Sequence, residues 1–112
     1  MAASKSIANG FIRYKLHRQG GDTVLAAADE EALGVRHEGG GRVLDLVAFR
    51  PFYDGERAEV CDLGPLFSKC TSANLVGGRV VDFALREGLV TTASIVSIGG
   101  VSHVQFYRIA GK

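Results

Sequence analysis

The sequence predicts an α+β fold: a single small domain with an antiparallel or mixed sheet of about five strands and two main helices. Three observations predict it. Apolar and polar residues alternate with period two near both ends of the chain, over Phe11–His17 and within the Val101–Ile109 strand over His103–Tyr107. Between them, from Leu66 to Glu87, apolar residues recur at helical spacing. Strand and helix signals therefore fall in separate runs, in the order β-β-(short α)-β-α-α-β-β, with no internal repeat and no linker. The expected domain is residues 11–110, after a disordered lead-in over residues 1–10.

In the first strand Phe11, Arg13, Lys15 and His17 share one face, and Ile12, Tyr14 and Leu16 the other. This is a half-buried strand with a basic outer face. Gln19-Gly20-Gly21-Asp22 is a turn, and Thr23–Ala28 returns to complete a hairpin. Asp29 is placed to cap a short helical turn over Glu30–Leu33, closed by Gly34. Gly39-Gly40-Gly41 is a loop, followed by an apolar strand from Arg42 to Phe49 that Pro51 ends. Phe52–Arg57 is a second loop, with a turn at Asp54-Gly55.

Gly64-Pro65 opens a helix, because proline in the first turn loses no needed N–H. Leu66, Phe67, Cys70 and Ala73 lie on one of its faces. Asn74 falls on the same face, an odd place for a polar residue, and is expected to end this helix and cap the next. The second helix spans Leu75–Glu87, with Val76, Val80, Phe83 and Ala84 inward and Gly88 beyond its end. Ala93–Ile98, the turn Gly99-Gly100 and Val101–Ile109 form a closing hairpin.

Composition narrows the function classes. Of 112 residues, 15 are glycine without a period of three, so the chain is not collagen-like. Hydrophobic residues at 46% exclude global disorder. No apolar run is long enough for a membrane helix, and the first residues lack a signal-peptide core, so a cytoplasmic protein is expected. Cys61 and Cys70 have no CxxC spacing and are expected to be reduced. Net charge is +1, which gives no whole-molecule attraction to nucleic acid, although the first 20 residues carry Lys5, Arg13, Lys15 and Arg18 and no acid.

Candidate chemistry concentrates late in the chain. On the last strand His103, Gln105 and Tyr107 share one face, opposite Val104 and Phe106. Upstream, Gly77 and Gly78 bare backbone N–H groups at a helix start, the ingredients of an anion site, although the same glycines also serve close packing. His103 has two readings, a general base or a structural histidine. No metal site is expected, because Cys61, Cys70, His17, His37 and His103 supply no close pair. No cofactor is expected either, since Walker, GxGxxG, HExxH and GxSxG patterns are lacking.

Thr71-Ser72-Ala73-Asn74-Leu75-Val76-Gly77, then Gly88-Leu89-Val90, then Ile98-Gly99-Gly100-Val101-Ser102-His103-Val104-Gln105 resemble an archaeal family of short proteins, domain of unknown function 424. Its pattern is ANLVG, a helix ending in G-L/I-V, then I-x-G-V-P-H-A-Q. Phe52-Tyr53-Asp54-Gly55-Glu56 is similar to its aromatic-Tyr-x-Gly-Glu loop. Ser102 stands where the family has proline, and Val104 where it has alanine. The resemblance implies an archaeal protein, and it nominates Asn74, Gly77, Gly100, His103 and Gln105 as site residues. It also tilts the function toward RNA or the translation apparatus.

The expected function is a binding module for RNA or a ribonucleoprotein. Arg13 and Lys15 would face phosphate, Asn74, Gly77 and Gly78 would form an anion site, and Tyr107, Phe52 and Tyr53 would stack on unpaired bases. A homo-oligomeric adaptor ranks second. A small enzyme ranks third, with His103 as acid or base, Asn74 as an orienting amide and Gln105 assisting.

Overall fold

The computed structural model describes residues 10–107. All of the expected lead-in over residues 1–10 except Gly10, and the end of the last strand at Arg108 and Ile109, lie outside the described residues. The fold is α+β. Strands β1 (Ile12–Gln19) and β2 (Asp22–Asp29) form the expected hairpin, with Gln19 opposite Asp22 across the glycine turn. A 3-10 turn over Glu30–Ala32 follows.

Next come β3 (Arg36–Gly39) and β4 (Arg42–Asp45), a second antiparallel hairpin. The strand expected over Arg42–Phe49 is thus shorter. It stops because the Asp45 carboxylate accepts the N–H groups of Val47 and Ala48, each at 3.0 Å, and turns the chain away. That turn delivers a short helix, α1 (Arg50–Tyr53), where the sequence suggested only loop. β5 (Glu56–Ala58) then pairs with β1.

The middle of the chain departs most from expectation. Helix α2 covers only Leu63–Phe67. Lys69 N–H closes it on Leu66 O at 3.0 Å, and the Ser68 hydroxyl donates to Pro65 O at 2.8 Å. Thr71 then docks on β2: its N–H donates to Thr23 O at 2.7 Å, and its hydroxyl oxygen accepts Thr23 N–H at 3.0 Å. The chain is captured as a strand, β6 (Ser72–Val76), so Asn74 lies mid-strand and caps no helix. Helix α3 is Gly78–Arg86, shorter at its start than the expected Leu75–Glu87. After a 3-10 turn over Thr92–Ser94, β7 (Val96–Ile98) and β8 (Val101–Tyr107) close the fold.

The main sheet has six strands in the order β5-β1-β2-β6-β8-β7. It is mixed: β2 and β6 are parallel, and the other neighbours are antiparallel. Both faces are covered. On one, Leu25, Leu75 and Val104 pack against Val80, Val81 and Ala84 of α3 and against Leu63 and Phe67 of α2. On the other, Ala26, Ala28 and Val76 pack beneath Leu46, Leu33 and Tyr53. Ala26, Ala27 and Ala28 are all fully buried, so the middle of β2 carries small apolar residues on both faces instead of alternating. The β3–β4 layer is set against the sheet tip to tip: a Cβ on Gly39 would lie 2.8 Å from Gly99 N, and one on Gly99 2.8 Å from Glu38 O.

Candidate functional site

The basic face of β1 forms as the alternation predicts, but its charges are engaged inside the protein. Arg13 Nε donates to Glu30 Oε2 at 2.9 Å, and its Nη1 lies 3.7 Å from Asp54 Oδ1. Lys15 Nζ donates to Pro51 O at 3.0 Å. His17 stacks on Phe52 with ring centroids 4.4 Å apart, and its Nε2 donates to Phe52 O at 2.8 Å. Three polar side chains thus hold the α1 segment onto the sheet, and Arg13 and Lys15 are placed to fasten it. Glu30 is held below the usual carboxylate range by hydrogen bonds from Arg57 and Arg13.

The glycines at the start of α3 also meet a partner within the chain. Gly77 is the N-cap with φ +113°, and Gly78 opens the helix. The Asp29 carboxylate sits at this end: Oδ2 accepts Arg79 N–H at 3.0 Å and Oδ1 accepts Val80 N–H at 3.1 Å. Asp29 therefore caps α3 and not the turn that follows it in sequence. Burial pushes its pKa up, against the downward pull of those two N–H groups and of Arg79. The helix end is already occupied by an anion of the protein's own. Gly100, with φ +82°, belongs to the β7–β8 turn, two residues before Ser102, whose carbonyl accepts Gly77 N–H at 2.7 Å.

Asn74, His103 and Gln105 do come together. β6 and β8 pair Asn74 with Gln105 and Val76 with His103, so the three side chains share one sheet face. Asn74 is half-buried, and its amide makes no hydrogen bond among the described residues. His103 is half-buried and Gln105 exposed. Burial lowers the His103 pKa, which favours the neutral ring. Its contribution to stability is therefore present above 6.5 and is lost as pH falls from there through the folded-state value. We expect His103→Gln to flatten the fall in melting temperature across that window. An unchanged pH profile would count against a titrating, buried His103.

The face opens into a cleft of about 390 Å³ with Val24, Ser72 and Asn74 along its floor. Phe52, held over β1, and Tyr107, on β8, line it from strands on opposite sides of that floor. Tyr107 is 80% exposed. Asp22, Gln19 and Thr71 complete the rim, so the lining carries one carboxylate and no cation. Phe52 also borders an apolar pocket of about 260 Å³ with Leu44, Leu46, Phe49 and Tyr53. Tyr53 is 5% exposed, its hydroxyl pushed up to about 12 by burial, so it is core and not a stacking platform.

Asp22, Ser72 and Thr71 were not legible as site residues in the sequence. Asp22 reads there as a turn residue, and only the parallel β2–β6 pairing brings it beside Thr71. Cys61 is exposed and Cys70 buried, with the Cys70 thiol donating to Phe67 O at 3.4 Å, and the two form no disulfide with each other. Among the described residues no helix is long and apolar enough to cross a membrane.

The crystal structure of an uncharacterized conserved protein from Methanopyrus kandleri is similar to this chain, with 26% identity and a TM-score of 0.74 over 92% of this chain and 96% of that one. No curated protein matches the chain. The family model described as "Protein of unknown function (DUF424)" matches residues 17–109, and the chain belongs to that family.

Proposed function

We propose that the protein is a binding module for single-stranded RNA that receives an unpaired base in the Asn74 cleft. The observation that carries this reading is the free Asn74 amide on a cleft floor lined by Phe52 and the exposed Tyr107. A base has a π-face to stack on an aromatic ring and an edge of donors and acceptors for an amide to meet. Phosphate contact does not come from Arg13 and Lys15, which are held by Glu30 and Pro51. It falls instead to Arg18 and Lys69, exposed cations with no ion pair among the described residues. They stand near the same end of the sheet as the cleft rim, because Arg18 pairs with Thr23 and Thr23 bonds to Thr71. Arg18 shares the β1 face of Ile12, Tyr14 and Leu16, opposite the cleft, so the RNA backbone passes around the end of the sheet to reach it.

Two phosphate contacts give a shallow salt dependence, a log–log slope of about −1.4 for a single strand. Fluorescence anisotropy with a short labelled RNA of mixed sequence checks this. Arg18→Ala with Lys69→Ala should bring the slope toward zero, while Tyr107→Ala should weaken binding about tenfold at constant slope. Absence of binding at low salt would overturn the reading.

A further inference from the structure

We infer that Asp22 makes the cleft selective for bases that carry an exocyclic amino group, so that adenine and cytosine are accepted over uracil. The inference rests on the RNA reading and deepens it by naming the class of base. Asp22 lies on the cleft rim with its Oδ1 3.3 Å from the Thr71 hydroxyl, whose single proton it shares with Thr23 O at 3.1 Å. The same Thr71 oxygen accepts Thr23 N–H at 3.0 Å, so the carboxylate is referenced to the backbone pairing of β2 with β6.

An ionised carboxylate only accepts hydrogen bonds, whereas the Asn74 amide both donates and accepts. The two groups stand four residues apart along β2–β6, because Ala26 and not Asp22 is opposite Asn74, so they address opposite ends of a base: the carboxylate takes an amino donor and the amide a group across the ring. Adenine and cytosine offer that amino group. Uracil presents carbonyl oxygens on both sides of its single N–H, and one of them would meet the carboxylate, acceptor against acceptor. The rim carboxylate also repels phosphate, which favours entry of the base and leaves the backbone outside with Arg18 and Lys69.

Short oligoadenylate, oligocytidylate and oligouridylate of equal length, titrated against the full chain at one salt concentration, test the inference. The parent protein should bind the adenylate and the cytidylate about fivefold more tightly than the uridylate, a modest ratio because Asp22 is exposed. Asp22→Asn should remove the preference by strengthening uridylate binding, since its amide can donate to a carbonyl. Asp22→Ser, which keeps a turn-forming side chain, should also level the three, and thermal melting verifies that both variants fold. Equal affinities in the parent, or a preference that survives in both variants, would overturn this inference and leave the RNA reading standing. No binding of any of the three would overturn both.

Discussion

Gly77→Ala is expected to destabilise the protein by about 4 kcal/mol, enough to remove much of the stability of a domain this size. Two costs add at this position. The backbone holds φ at +113°, a conformation L side chains rarely adopt. The new Cβ would also lie 2.4 Å from Asp29 Cγ and 2.7 Å from Asp29 Cβ. Asp29 cannot step aside, because both its oxygens are bonded to N–H groups of α3 and it sits at the end of the central strand β2. Urea denaturation followed by circular dichroism measures the change. A loss below about 1 kcal/mol would mean that the α3 start can shift to a new geometry.

Asp29→Ala should cost about 3 kcal/mol. The substitution removes an N-cap carboxylate and leaves the buried Val80 N–H, with its Arg79 neighbour, without an acceptor. It also takes one of two acids from the Arg79 guanidinium, which keeps Glu31 at 2.7 Å. Asp29→Asn should fall between parent and alanine, because one carbonyl oxygen can still accept. The pH profile separates the two effects. Burial raises the Asp29 pKa, so the folded state holds this proton more tightly than the unfolded chain does. Its contribution therefore falls as pH rises from 3.8 through the folded-state value, and both variants should lose that component of the slope. Parent-like stability in Asp29→Ala would show that water or a nearby side chain takes over the cap.

Legibility in the sequence followed the range of the interactions. The β1–β2 and β7–β8 glycine turns and the helix end at Gly88 rest on residues a few positions apart and are where the pattern places them. The strand expected over Ala93–Ile98 keeps only Val96–Ile98, Thr92–Ser94 forming a 3-10 turn, and the Gly39–Gly41 loop proves to be the turn of the β3–β4 hairpin. β6 was hidden because Leu66, Phe67, Cys70 and Ala73 satisfy helical spacing by coincidence. Asn74, a polar residue on that supposed apolar face, was the sign that the helical period had failed. β3 and β5, at four and three residues, are too short to show any period. The site shows the same division. The grouping of His103 and Gln105 on one face follows from local alternation. The meeting of Asn74 with Gln105, the Asp29 cap on α3 and the engagement of Arg13 and Lys15 all depend on segments distant in sequence. A basic stripe that looks solvated in sequence met, in the fold, the carbonyl groups of a short helix it had to hold.

The parallel pairing of β2 with β6 also bears on how fast the protein reaches its fold. Thr23 and Thr71 stand 48 residues apart, and the hairpin β3–β4 with α1, β5 and α2 all lies in the chain between them. The two end hairpins can form early, since each closes only a tight turn. The central ladder must instead bring together distant segments, with the entropic cost of a long loop met before any hydrogen bond is gained. Docking of Thr71 onto β2 is therefore expected to limit the rate, and stopped-flow refolding should place this domain below the microsecond helical folders.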